Sequence, residues 1–395
     1  MTPLMIDSRF DSGAIEVVEC ERADAVRLRL RPDNAADITQ WFHFRVSGAR
    51  ETRCRFTIEG VASSAFPGGW EGYAAVASYD RRDWFRVPTS YDGARLVIDH
   101  TPAHDAVWYA YFEPYGESRH DDFLARAQQS ELATLTDLGH TVQGRPLTCL
   151  TIAAPGAKPP GSAPPRAQIW VIARQHPGET MAEWFVEGLS RRLLGFDDWA
   201  GDALATTLLA RADFHLIPNM NPDGAALGNL RTNAVGANLN REWMAPDAQR
   251  SPEVLCVREA IAARGCDTFF DIHGDETLPY VFVAGCEMLP SFDARQARMQ
   301  QAFLDHFRAA SAEFQTEHGY AADKYQQDAL KLASKYIGHR YGCLSLTLEM
   351  PFKDNAQRPQ PRTGWNGARS AALGAAMLEA IGQQLDAQAS PAPVA

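Results

Sequence analysis

Through the first ~120 residues hydrophobic positions alternate with polar ones. Val26, Leu28 and Leu30 interleave with Arg27, Arg29 and Arg31. Phe42, Phe44 and Val46 interleave with Trp41, His43 and Arg45, and Cys54, Phe56 and Ile58 with Arg53, Arg55 and Thr57. Successive side chains of a strand point to opposite faces, so each run predicts a strand with one buried and one wetted face. Turn formers punctuate the runs at Asp33-Asn34, Gly48, Gly60, Pro67-Gly68-Gly69 and Asp92-Gly93. Short alternating strands with turns about every ten residues predict an antiparallel β-sandwich. No cluster of acids, bases or metal-ligating residues stands out here, and a scaffold or recognition role is expected.

From about residue 125 the period changes. Short apolar runs at 169–173, 214–217, 268–272, 280–283 and 344–348 alternate with helical stretches. Within 181–194, Met181, Phe185, Leu189 and Leu193 recur every four residues. Buried strands alternating with amphipathic helices predict an α/β fold, here an α/β/α domain with a mixed central sheet. The proline-rich stretch 155–165 is expected to be a loop between two strands, and the tail from 387 to be frayed. At 395 residues the chain is long enough for two cores. The expected division is a β-sandwich over 1–122, the α/β/α domain over 123–385 and a flexible tail over 386–395.

Composition narrows the function classes. Apolar residues make up 45% and charged residues 22%, as in globular chains. With 38 basic against 49 acidic residues the net charge is -11, which counts against a general polyanion binder, so no nucleic-acid partner is expected. No run approaches the roughly 18 apolar residues of a transmembrane helix. The opening residues lack a basic region followed by an apolar one, so neither a signal peptide nor a membrane partner is expected. Seven cysteines, at 20, 54, 149, 256, 266, 286 and 343, show no Cys-x-x-Cys spacing. They read as reduced thiols, which suggests a cytoplasmic location. The oligomeric state stays open.

Four apolar runs end in residues that can do chemistry. Run 169–173 leads into Arg174-Gln175-His176-Pro177-Gly178-Glu179, and run 214–217 into Asn219, Asn221 and Asp223. Run 268–272 leads into His273 and Asp275, and run 344–348 into Glu349. Ligands of open α/β sheets bind outside the carboxyl ends of the strands. His176 and Glu179, three apart at a strand-to-helix turn, can face one ion. Alone, such a pair arises often in a chain with 11 histidines. His273 from another strand end completes a His2Glu set, the three-ligand pattern of catalytic zinc. Imidazole plus carboxylate would also accept cobalt or manganese. Glu349 is either a rim salt-bridge partner or a general base.

In this order the residues resemble the M14 family of zinc carboxypeptidases, and within it the cytosolic carboxypeptidases. The resemblance rests on His176-Pro177-Gly178-Glu179, Asn221-Pro222-Asp223-Gly224, Gly228-Asn229-Leu230-Arg231, Asn238-Leu239-Asn240-Arg241, Asp271-Ile272-His273 and Thr347-Leu348-Glu349. The first ~120 residues resemble the accessory β-sandwich of that subfamily, including Trp41-Phe42-His43-Phe44 and Ala110 to Tyr115. The resemblance implies one Zn2+ per chain held by His176, Glu179 and His273. It makes Glu349 the base that takes a proton from water and passes it to the leaving amine. Arg231 would stabilise the oxyanion, and Asn240 and Arg241 would grip the substrate's terminal carboxylate. That last contact makes an exopeptidase, whose partners are peptide or protein C-terminal tails.

The resemblance also implies a tyrosine covering the substrate, with Tyr320 favoured over Tyr325 and Tyr336. It implies a preference for acidic residues, chiefly glutamate, which needs a basic group in the side-chain pocket. Lys331, Lys335 and Arg340 lie in the segment expected to line that pocket, which itself looks helical over 329–341. Two positions depart from the pattern. Asn238 stands where the wider family often has an aspartate that orients a zinc-binding histidine. Asp275 stands where eukaryotic relatives tend to carry a second histidine. Two other readings use the same residues. The accessory sandwich and the complete series from Asn221 to Arg241 argue against an N-acyl amino acid amidohydrolase of the aspartoacylase or succinylglutamate desuccinylase type. Retention of all three ligands and Glu349 argues against a non-catalytic peptide-tail binder.

Overall fold

The alternating runs of the N-terminal part form two five-stranded sheets in the computed structural model, which describes residues 4–156, 166–321, 323–324 and 326–389. One sheet runs Met5–Asp7, His43–Ser47, Ala106–Ala110, Val76–Ser78, Trp84–Arg86, antiparallel throughout. The other runs Glu16–Glu19, Val26–Arg29, Cys54–Glu59, Leu96–His100, Thr89–Tyr91. In it, Val26–Arg29 and Cys54–Glu59 pair in parallel, the one exception to the antiparallel pattern among the described strands.

Val26, Leu28, Phe44, Val46, Phe56 and Ile58 are all fully buried, as their alternation requires. Phe44 stacks on Tyr109 with ring centroids 5.3 Å apart, and Phe56 lies 5.1 Å from the same ring. The expected wet face of the Trp41–Arg45 run is only partly wet. Arg45 is exposed, but Trp41 and His43 are buried because the segment around Phe10–Ala14 packs over them. Trp41 Nε1 donates to the Ser12 carbonyl, and the Phe10 ring meets His43 edge-on.

The second part is built on a seven-stranded mixed sheet. Its order is Ala133–His140, Pro146–Ile152, Ala212–Ile217, Ala167–Ala173, Thr268–Asp275, Leu344–Pro351, Phe282–Ala284. The four strands from Ala212–Ile217 to Leu344–Pro351 are parallel, and the flanking ones are antiparallel. Strand alternation sorts the core into two layers. Ile169, Val171, Phe270 and Ile272 face the helices Met181–Leu193 and Gly367–Ala389, meeting Met181, Phe185, Leu189 and Leu378. Trp170, Ile172 and Phe269 face Pro252–Arg264 and Ala333–Tyr341, meeting Val254, Val257 and Ile337. A sheet covered on both faces needs near-continuous apolar strands, which is why these runs carry little alternation.

Two of these strands run further than their apolar cores suggested, to Asp275 and Pro351. Their ladder continues and pairs His273 directly with Glu349. Most of the proline-rich stretch, residues 157–165, lies outside the described residues, as do Tyr325 and the tail from 390. The Gly367–Ala389 helix runs through the first positions of the segment 386–395. All seven cysteines are free, five of them buried. Among the described residues no helix is long and apolar enough to cross a membrane.

Candidate active site

The site begins where the Ala167–Ala173 strand stops. Arg174 takes a left-handed backbone conformation, with φ of 61°, and is fully buried. Such a conformation costs a non-glycine residue about 1–3 kcal/mol and persists only when its surroundings enforce it. Here the guanidinium does so. It donates to the carbonyls of Pro177 and Tyr115, both at 2.8 Å, and to Glu183 Oε2 at 2.6 Å. The turn that results carries Gln175 and His176 and opens the Met181–Leu193 helix. Gly178 fits there because a Cβ would come within 2.9–3.1 Å of Leu230 atoms; its N–H donates to the Leu230 carbonyl at 2.8 Å.

His176, Glu179 and His273 converge. Glu179 Oε1 lies 2.7 Å from His176 Nδ1, and Oε2 lies 2.7 Å from His273 Nδ1. One ligand atom from each residue lies within 4.8 Å of the others, and all three side chains are buried. The opposite ring nitrogens are held from behind. His176 Nε2 is 3.0 Å from Asn238 Oδ1, and His273 Nε2 is 2.9 Å from Asp271 Oδ1. Gln175 donates to both Asp271 oxygens and accepts from Trp243 Nε1 at 2.7 Å. These acceptors place a proton on each Nε2, so each Nδ1, once unprotonated, turns its lone pair toward the Glu179 carboxylate, as metal-ligating histidines require. Two imidazoles and a carboxylate, oriented in this way, fit a zinc-type ion.

The electrostatics agree with a cation site. Burial, aided by Arg231, lowers His176 to about 3, so this imidazole is neutral. At His273 burial opposes charge, but Asp271 and Glu179 outweigh it and hold the ring well above its ordinary value. Burial also opposes the charge on Glu179, yet the two imidazoles pull it below the usual carboxylate range. A cation bound among the three ligand atoms would take the place of the proton that His273 holds against Glu179, since metal binding at imidazole releases protons.

Glu349 sits one strand over. Burial pushes its carboxyl up to about 8, with Glu179 and Asp275 adding to the rise and His273 opposing it. Oε1 accepts from the Tyr320 hydroxyl at 3.2 Å, whereas Oε2 is buried without a hydrogen-bond partner among the described residues. A buried carboxyl oxygen left bare beside a ligand set is a proton site, and a cation among the three ligands would favour its ionised form.

These residues open onto a cleft of about 490 Å³. Arg231, Asn240, Arg241, Tyr320 and Glu349 line it with His176, Glu179 and His273. Asn240 Oδ1 accepts from Ala333 N at 2.9 Å, and its Nδ2 lies 3.3 Å from His273 Nε2. Arg241 donates to the Asn240 carbonyl, and Tyr320 donates to Asp275 Oδ2 at 2.6 Å. The structure does not bring Lys331 or Arg340 to the cleft. Lys331 pairs with Asp328 at 2.7 Å, and Arg340 is exposed near the end of Ala333–Tyr341. Tyr336 instead accepts from Arg258. Lys335, buried on the same helix, lines both the cleft and an adjoining pocket with Val283, Ala284, Met288 and Leu289.

Two residues of the site carry no obvious signal in the sequence: Gln175, and Glu276, which lines the cleft with its Oε1 buried and unpartnered among the described residues. Asp271 does carry one, since a residue two before His273 on a strand shares its face.

A buried His–Glu–His set opposite a bare carboxylate, at the ends of parallel strands, defines the class of metal-dependent hydrolases. Residues 122–366 match the zinc carboxypeptidase family model, and residues 6–112 match the cytosolic carboxypeptidase N-terminal domain. The chain belongs to the M14 zinc carboxypeptidases, a family of peptidases. It is similar to a metallo-carboxypeptidase from Burkholderia cenocepacia, 63% identical with a TM-score of 0.95 over 98% of this chain and 100% of that one. A metallo-carboxypeptidase from Pseudomonas aeruginosa, solved in complex with (2-guanidinoethylmercapto)succinic acid, is 45% identical. Its TM-score is 0.90 over 97% of this chain and 99% of that one. Mouse cytosolic carboxypeptidase 6 is 27% identical, covering 88% of this chain and 67% of its own length.

Proposed function

We propose that this metallocarboxypeptidase removes single residues from the C-termini of peptide or protein tails in the cytoplasm, favouring acidic residues and glutamate first. In this reading residues 1–122 form the accessory domain and 123–385 the catalytic domain. His176, Glu179 and His273 hold one zinc ion. What a bound zinc adds is Lewis acidity at the scissile carbonyl and a lowered pKa for attacking water. Glu349 takes the water proton on its bare Oε2 and returns it to the leaving amine nitrogen. Tyr320 fixes the other oxygen of Glu349 and closes over the substrate. Arg231 donates to the developing oxyanion, where fixed donors act most strongly. Arg241 and Asn240 bind the terminal carboxylate, which a mid-chain peptide lacks.

The observation that carries the acidic preference is Lys335. It is a buried ammonium whose contact is a neutral one, the Gly285 carbonyl, and among the described residues no carboxylate pairs with it. A buried cation without a counter-ion is costly, and an acidic substrate side chain would supply the missing charge. Lys335→Met is expected to lower kcat/KM for peptides ending in glutamate by ~100-fold, the scale of a lost buried ion pair. Peptides ending in leucine or alanine should be cleaved about as well as before. An unchanged order of preference in the variant would reject Lys335 as the selector, and a wild-type enzyme indifferent to acidic ends would reject the preference itself.

A further inference from the structure

The loop that carries Arg231 is held from the β-sandwich. Asp33 is buried in a turn between sandwich strands, and its carboxylate accepts four hydrogen bonds from the far part of the chain. Leu230 N donates to Oδ1 at 2.7 Å. Arg231 N at 3.0 Å, Thr232 N at 2.9 Å and Thr232 Oγ1 at 2.8 Å all donate to Oδ2. Its neighbour Asn34 extends the grip. Asn34 N donates to Asn229 Oδ1 at 3.0 Å, Asn34 Oδ1 accepts from Asn229 Nδ2 at 2.7 Å, and Asn34 Nδ2 donates to the Ala234 carbonyl at 2.7 Å. From the other side, the Leu230 carbonyl accepts the Gly178 N–H of the turn between His176 and Glu179. Sandwich residue Phe66 completes the setting, its ring 5.3 Å from the Arg231 guanidinium across the cleft wall.

We propose that Asp33 is a positioning residue for the peptidase reaction: the sandwich uses it to fix the Arg231 backbone, and hence the guanidinium, against the turn bearing His176 and Glu179. This inference rests on the oxyanion role given to Arg231 above. A carboxylate has two acceptor oxygens and no donor, so it can satisfy three consecutive backbone N–H groups at once. An amide cannot, because one of its two ends is itself a donor. Asp33→Asn would turn an NH2 group toward N–H groups or leave them unpaired, and the loop would shift. Displacements of about 1 Å at a transition-state contact can cost ~100-fold in rate. The β-sandwich is, on this view, part of the catalytic apparatus and not only a support beside it.

The test is a double-mutant cycle on zinc-loaded, full-length protein, with melting temperature and zinc content measured for each variant. Asp33→Asn is expected to lower kcat about 10- to 100-fold with KM and zinc content near wild type. In an Arg231→Ala background the same substitution should cost less than about twofold, because the group it positions is gone. Asn34→Ala, read in the same cycle, should show a smaller loss with the same cancellation, and it decides the matter if Asp33→Asn does not fold. A folded Asp33→Asn enzyme with wild-type kcat, or an equal loss in both backgrounds, would overturn the inference. An Arg231→Ala enzyme that keeps wild-type kcat would instead remove the oxyanion role on which it rests.

Discussion

Two buried glutamates show how one side-chain type is put to different uses. Glu349 lies near the end of a strand beside the ligand set and leaves one oxygen bare toward the cleft. Glu253, in the first turn of Pro252–Arg264, is just as buried but lies away from the cleft. Its Oε1 has no partner among the described residues, and burial pushes it up to about 7. The folded protein therefore holds a proton there between about pH 4.5 and 7 that the unfolded chain has released. Stability from this group is present at low pH and is lost as pH rises through 7. Glu253→Gln should raise unfolding free energy at pH 8 by on the order of 1–3 kcal/mol and leave pH 5 nearly unchanged. Denaturant melts at the two pH values check this, and an equal effect at both would contradict it.

At the scale of elements, the sheet brings ligands together that are distant in sequence. Three neighbouring parallel strands end together, so residues nearly a hundred positions apart meet at their carboxyl ends. Strand periodicity places Asp271 behind His273 on one face, where it fixes the imidazole. Asp271→Asn should weaken zinc binding by about 10- to 100-fold, as loss of such an orienting carboxylate does. Competition against a fluorescent chelator measures it, and wild-type affinity would mean that Asp271 does not orient the ligand.

Much of this arrangement was legible. Apolar runs ending in His176, His273 and Glu349 announce strand ends that carry chemistry. Which of Lys331, Lys335 and Arg340 reaches the cleft was not legible, because it depends on helix phase. Residues 335 and 340 stand about 140° apart around a helix at 100° per residue, so they face different surroundings. Sequence alone does not say which of those is the pocket. The burial of Trp41 and His43 escapes the pattern for a related reason, since strand alternation shows that two faces differ and not what covers the second.

Over the whole molecule, the least legible feature is the coupling between the two parts. Asp33-Asn34 reads as a turn, and it is one. Its second role depends on contacts with residues 195 to 200 positions away, which no local pattern records. The family pattern pointed to the proposed ligands and base, whereas the hold of the sandwich on the Arg231 loop emerged only from three-dimensional contacts. In the proposed reading all of these parts serve one outcome, release of a single residue from a free C-terminus.

That outcome is tested most directly by mass spectrometry of a mixed peptide library incubated with zinc-loaded enzyme, with a chelator and with Glu349→Gln as controls. The expected result is a ladder of single-residue losses from the C-terminus, richest for peptides ending in glutamate. The chelator should abolish it, and Glu349→Gln should reduce it by ~100- to 10,000-fold, the range for loss of a general base, while retaining zinc. Internal cleavage, or full turnover by zinc-loaded Glu349→Gln, would contradict it.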